Sequence, residues 1–214
     1  MVNFGFIRVY SRPFAVKFYL RSSAVGLIHF PGTKTAKFMA LMAKDVHFAS
    51  SITDENHITD LVRFTERTFL TNSPVPFGAM VLNSSTGERL VRTVNNSRKE
   101  NDPTCHAEVR AIRLAGKKVK HPILKGYTLF TTCEPCPMCM AAILWARLDR
   151  VVFGATIEDA SRHCHQIHIK ATEVVARSDM KCEVIGPVSR ERCYKLFTAP
   201  VTIKTFEFWR NNRK

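Results

Sequence analysis

The sequence predicts an α/β fold, a three-layer α/β/α sandwich around a central mixed five-stranded sheet with helices on both faces. Two observations predict it. A hairpin pattern over residues 77–94 is followed by alternating helix and strand patterns, which adds parallel pairing to an antiparallel start. The 214 residues are 45% hydrophobic, enough for one substantial core and too many for a disordered chain. No run of about 18 apolar residues occurs, so no membrane partner is expected.

The elements follow in order. Residues 1–44 carry seven Lys or Arg and no Asp or Glu, and they read as a basic extension. Their composition resembles an organellar transit peptide; the alternative is an upstream start, with Met39 or Met42 as the true one. Residues 45–214 form the expected domain. Thr53 or Asp54 caps a helix to about Leu70, with Ile58, Leu61, Val62, Phe64 and Phe69 on its apolar face. Phe77–Leu82 and Arg89–Val94 are strands around a Ser84-Ser85-Thr86-Gly87 turn. Asp102-Pro103 starts a helix that ends near Ala115, before Gly116. Tyr127–Thr132 is a strand, Met138 to about Leu148 a helix opened by Pro135-Cys136-Pro137, and Arg150–Ala155 a strand. A helix at 171–177, a strand at 182–185, a helix at 189–197 and a tail helix at 206–214 complete the chain.

The net charge is +14, and residues 45–214 account for +7 of it. Charge alone admits a nucleic-acid partner, but no Arg/Lys stripe interleaved with aromatics supports one. The seven cysteines are too sparse for a disulfide scaffold. Four of them, Cys105, Cys133, Cys136 and Cys139, cluster beside His106, which reads as metal binding or catalysis in a reducing compartment. Cys136 and Cys139, at i and i+3 in a first helical turn, share a face, and a helix N-terminus favours their thiolates. With His106 they make three ligands and leave a fourth tetrahedral position open, the catalytic arrangement for zinc. Glu108 is placed as the proton carrier, provided that the helix start is irregular enough to bring it beside His106. The alternative is a closed structural site that adds Cys133. Trp145, Met138 and Met140 stand at core spacing on the zinc helix. Cys105, Cys182 and Cys193 read as core thiols. His163, Cys164, His165 and His168 read as a polar loop near the pocket, with a second metal as the alternative.

His106-x-Glu108 with Pro135-Cys136-x-x-Cys139 is the signature of zinc deaminases of nucleobases. The segment 76–155 resembles the cytidine/deoxycytidylate deaminase superfamily. The matching words are Pro76-Phe77-Gly78-Ala79, Asn95-Asn96, Asn101-Asp102-Pro103-Thr104, His106-Ala107-Glu108-Val109, Cys133-Glu134-Pro135-Cys136-Pro137-Met138-Cys139 and Trp145-Ala146-Arg147. Within it the chain is most similar to bacterial guanine deaminases, with tRNA adenosine deaminases next. The resemblance implies a cytidine deaminase-like fold and zinc on His106, Cys136 and Cys139. It implies attack by zinc hydroxide, with Glu108 as proton shuttle. It also implies base stacking by Phe77, contacts from Asn95 and Ala107, and a homodimer. Guanine to xanthine plus ammonia is the leading reaction. The alternatives are a tRNA wobble adenosine deaminase, which the basic charge favours, and a nucleoside or pyrimidine deaminase. The expected compartment is the cytoplasm, or an organelle if residues 1–44 are a transit peptide. Two stretches depart from the guanine deaminase pattern: residues 162–168 lack its Gly-Phe-Asp-Asp-like word, and the chain ends Arg213-Lys214 rather than on an aromatic residue. A binding protein on the same scaffold is opposed by the intact Glu108.

Overall fold

Side chains that alternate along a strand must bury on opposite faces, and the apolar runs of this chain need cover on both. The computed structural model describes residues 53–211; the basic extension and its transit-peptide expectation lie outside them. Strands β1 (Gly78–Asn83) and β2 (Arg89–Val94) form the expected hairpin, its turn fastened by Asn83 Oδ1, which accepts the Ser85 and Thr86 N–H groups. β3 (Tyr127–Cys133), β4 (Arg150–Ala155) and β5 (Glu183–Ile185) complete a five-stranded sheet in the order β2-β1-β3-β4-β5. β1 is antiparallel to β2 and β3, whereas β3, β4 and β5 run parallel, so the sheet is mixed as expected.

Seven helices cover it among the described residues: α1 (Asp54–Glu66), α2 (Ala107–Val119), α3 (Pro137–Trp145), α4 (Ile157–Ser161), α5 (Ala171–Ala176), α6 (Arg190–Thr198) and α7 (Pro200–Asn211). Met80, Phe130 and Val152 face α1, α6 and α7, packing with Leu61, Phe197 and Phe206. Their strand neighbours Val81, Leu129 and Val151 face α2, α3 and α5, packing with Ala111, Ile143 and Ala171. Two glycines set the close approach of helix to sheet. A Cβ at Gly78 would strike the Thr65 hydroxyl of α1, and one at Gly154 would strike the Cys193 thiol of α6. Cys193 and Cys105 are buried as expected of core thiols; Cys182 is half-buried.

Several boundaries differ from expectation, each for a local reason. Asp102 does not cap a helix: its Oδ1 accepts the Thr104 N–H and hydroxyl in a turn, and α2 begins at Ala107. α2 runs through Gly116 to Val119, ended by Lys120 in the left-handed region at φ 57°. α1 closes in a 3₁₀ turn over Arg67–Leu70, and α3 stops at Trp145 because Arg147 adopts φ 57°. α4 was not expected, although Thr156 and Asp159 form a capping box at its start. The last helix starts at Pro200 rather than Phe206, with proline in its favoured first position. Trp145 was expected to pack, yet it is 72% exposed; the buried face of α3 is Cys139, Met140, Ile143 and Leu144. No helix among the described residues is long and apolar enough to cross a membrane.

Candidate active site

Two helix N-termini meet where the expected ligands stand. His106 is the N-cap of α2 and Cys136 the N-cap of α3, both in extended conformation. α2 comes close to α3 because it presents Ala107, Ala111 and Ala115, side chains too small to hold a neighbour away. Cys139 lies in the first turn of α3 and is fully buried. His106 Nδ1 is 3.7 Å from Cys136 Sγ and 3.5 Å from Cys139 Sγ. A tetrahedron with Zn–S of about 2.3 Å and Zn–N of about 2.1 Å has an S–N edge of about 3.6 Å. The three donor atoms therefore already stand at zinc-ligand spacing, and all lie within 4.8 Å of one another.

Cys133 is outside this group. Its thiol donates to the Thr156 carbonyl at 3.8 Å, turned away from the three grouped donor atoms. The site thus offers three donor side chains that could hold a metal. Among the described residues no second cluster of His, Cys, Asp or Glu has metal-ligand spacing. His163 instead joins an aromatic group: its Nε2 is 3.2 Å from the Tyr194 hydroxyl and its ring stacks near Phe206.

Charge at the site follows from burial and hydrogen bonding. Cys136 is pushed down to about 4 by the hydrogen bond it shares with Cys139, with His106 acting in the same direction. Cys139 is pushed up by the same bond and by burial. His106 is raised by its hydrogen bond with Cys136. Glu108 is 6% exposed, and burial raises its carboxyl to about 6. The expected problem of the His106–Glu108 spacing is resolved by the cap: His106 sits outside the helix in extended backbone, so the pair need not diverge by two helical steps. Thr131 at the end of β3 donates its hydroxyl to Glu108 Oε1 at 3.4 Å.

Of the expected substrate contacts, Phe77 and Asn95 come together one register step beyond the Gly78–Val94 pair, where the Asn95 N–H donates to the Phe77 carbonyl at 3.0 Å. Phe77 is half-buried, with its ring edge-on to Phe197 at 5.2 Å between centroids. Its neighbours Pro76 and Gly78 both bond the Thr132 hydroxyl, next to Thr131 and Cys133. The Asn96 N–H donates to the Cys105 carbonyl, which ties this corner to His106. Asn95 Oδ1 already accepts the Ser97 hydroxyl at 2.8 Å. The Ala107 side chain is buried among the helices and its carbonyl accepts the Thr93 hydroxyl, leaving its N–H as the polar group it can offer. Close by, a cavity of about 240 Å³ is lined by Arg162, His163, His165, Phe206, Trp209 and Arg210. Arg98, three residues beyond Asn95, lies over the Trp209 ring at 4.7 Å.

Sequence reading missed Thr131, Ser97 and Glu134. Glu134 was visible as a letter of the cysteine motif; Thr131 carried no signal because its partner Glu108 lies 23 residues away, and Ser97 bonds Asn95 in a local turn that has no distinctive letter pattern.

The model of the cytidine and deoxycytidylate deaminase zinc-binding region matches residues 51–155. A guanine deaminase of Bacillus subtilis is 35% identical over 138 residues, covering 64% of this chain and 80% of that protein. A tRNA-specific adenosine deaminase of Buchnera aphidicola is 40% identical over 93 residues, 43% of this chain and 60% of that protein. A tRNA(Ile)-lysidine synthase of Deinococcus radiodurans is 49% identical over 81 residues, 38% of this chain and only 14% of that protein. Among solved structures, a guanine deaminase from Nitrosomonas europaea shares the fold at a TM-score of 0.62 and 18% identity, covering 72% of this chain and 84% of that one. The family match gives the cofactor, zinc, and the reaction class, hydrolysis of C–N bonds, and the donor geometry agrees with a metal at this place. The chain belongs to the cytidine and deoxycytidylate deaminase family of zinc enzymes.

Proposed function

We propose that the protein removes the exocyclic amino group of a free purine base, converting guanine to xanthine and ammonia. The observation that carries this reading is the corner at which Phe77 and Asn95 are joined by one hydrogen bond, beside the strand end that reaches Glu108. A ring face and an amide edge at one place suit a flat base with polar edges. The likeness to the Bacillus subtilis guanine deaminase supports it over most of the domain.

In this reading His106, Cys136 and Cys139 hold the metal and Glu108 moves the proton. Zinc, when bound, supplies the Lewis acidity that makes water a nucleophile at neutral pH. Oxygen from water joins the ring carbon, the C–N bond breaks and ammonia leaves. The Glu108 carboxylate takes a proton from the incoming water and delivers it to the departing nitrogen. Burial favours the protonated form of Glu108, which a proton carrier has to reach in each turnover. The homodimer implied by the resemblance belongs to the same proposal and is tested by sedimentation.

A second reading, a tRNA wobble adenosine deaminase, is favoured by the arginines and Trp209 around the neighbouring cavity. Ammonia release from guanine, other bases, nucleosides and tRNA separates the two. Turnover of guanine with none of tRNA is expected; inosine in tRNA without ammonia from guanine overturns the choice.

A further inference from the structure

Glu134 is a buried carboxylate, 6% exposed, and no ion pair includes it among the described residues. Its own N–H donates to the Ala155 carbonyl at 2.8 Å, which extends the β3–β4 ladder one step past Cys133. Its side chain then reaches two separate helix starts. Oε2 accepts the Ile157 N–H at 3.3 Å, and Oε1 accepts the Ala171 N–H at 3.0 Å. These are the first residues of α4 and α5, where backbone N–H groups lack a helical partner and the local field favours an anion. The chain between them carries Arg162, His163 and His165, which wall the cavity shared with Phe206 and Trp209. In the other direction Glu134 is followed by Pro135 and then by Cys136.

We propose that Glu134 is a positioning residue: its carboxylate fixes both ends of the 157–171 segment to the turn that presents Cys136, and so sets the wall that Arg162, His163 and His165 give the cavity beside the Phe77–Asn95 corner. The proposal rests on the deaminase reading of the site. The chemistry requires a carboxylate of this length. Each oxygen takes one N–H; glutamine offers a single carbonyl oxygen and would point an N–H₂ donor at the other amide. Aspartate is one methylene short of spanning both helix starts.

The test uses the full-length, zinc-loaded protein. In Glu134→Gln, zinc content should stay stoichiometric. Amide hydrogen exchange across 157–171 should quicken by about tenfold, the scale of losing one to two buried hydrogen bonds, while exchange in β1 and β3 stays slow. KM for guanine should rise by about fivefold or more with kcat within about twofold, as expected when binding and not chemistry is disturbed. Ala171→Pro removes one of the two donors from the other side. Proline is accepted at a first helical position, and Lys170 before it already has φ −69° and ψ 150°, the conformation that proline demands. This variant should show a smaller change of the same kind, and combining it with Glu134→Gln should add less than the sum. If Glu134→Gln does not fold, Ala171→Pro decides alone. Exchange across 157–171 that is unchanged in the folded variants, or zinc lost together with the segment's protection, overturns the proposal. Wild-type protein that releases no ammonia from guanine sinks the purine reading only, because the exchange measurement still decides the role of Glu134.

Discussion

Glu108 and the cysteines carry the residue-scale consequences. In the proposed reading, a zinc held by two thiolates would polarise water less than one held by neutral ligands, which leaves the proton to the buried Glu108. Glu108→Ala is expected to keep its zinc and to lose turnover by about 10² to 10⁴, the range for a general acid–base group. Steady-state kinetics with metal analysis checks both halves; near-normal turnover, or loss of the metal, removes Glu108 from the shuttle role. The cysteines should divide in the same way. Cys136→Ser should strip the metal, since Cys136 Sγ stands at ligand distance from His106 and its thiolate is favoured. Cys133→Ser should leave zinc in place, because the Cys133 thiol is turned to the Thr156 carbonyl. Equal loss in the two would point to the closed site.

At the scale of elements, the capping box of α4 does more than start a helix. Asp159 is 2% exposed, and its two oxygens accept from Arg190 Nε and Nη2, each at 2.7 Å, tying α4 to the start of α6. The Arg190 guanidinium holds the Asp159 carboxyl at about 2, below its ordinary 3.8. A carboxyl depressed in the folded state contributes stability that is complete above its unfolded pKa. That contribution disappears as pH falls through the folded one. Asp159, held by Arg190 and by its capping box, should therefore contribute stability at neutral pH that fades as pH falls from about 5 to about 2. Denaturant unfolding of the wild type and Asp159→Asn over that range measures it. The gap between the two should be widest at pH 7 and narrow with acid; a gap that does not vary with pH would mean that the ion pair is not its source.

For the whole molecule, the His106, Cys136 and Cys139 group and both apolar layers are built from the helices and strands that begin at Asp54. α1 is part of this body: Asp54 holds Arg150 of β4 through two hydrogen bonds, at 2.9 and 2.6 Å. A protein beginning at Met42 retains all of these groups. We propose residues 45–214 as the working domain, so that truncated protein should melt cooperatively and match the full chain in zinc content and turnover. Loss of folding or activity on truncation would assign residues 1–41 to the domain.

The metal ligands, the hairpin and the alternation of later strands and helices were legible in the sequence because each depends on spacing within a short stretch. Two cysteines three apart at a helix start must share a face, and apolar residues two apart must share a side of a strand. The His106–Glu108 pair was legible in type but not in geometry, which waited on His106 taking the cap position outside α2. Other outcomes depended on local turn geometry or on partners far along the chain. Asp102 formed a turn with Thr104, although its sequence reads as a helix cap. Trp145 faces outward because α3 buries the opposite side. Asn95 shares its oxygen with Ser97, and Glu134 spans two helix starts, 23 and 37 residues away. The amino-acid sequence by itself determined the His106, Cys136 and Cys139 donor group, the strand order along the chain and the class of chemistry. Only the tertiary structure decided which polar groups are already satisfied, since a hydrogen bond between distant segments leaves no periodicity in either one.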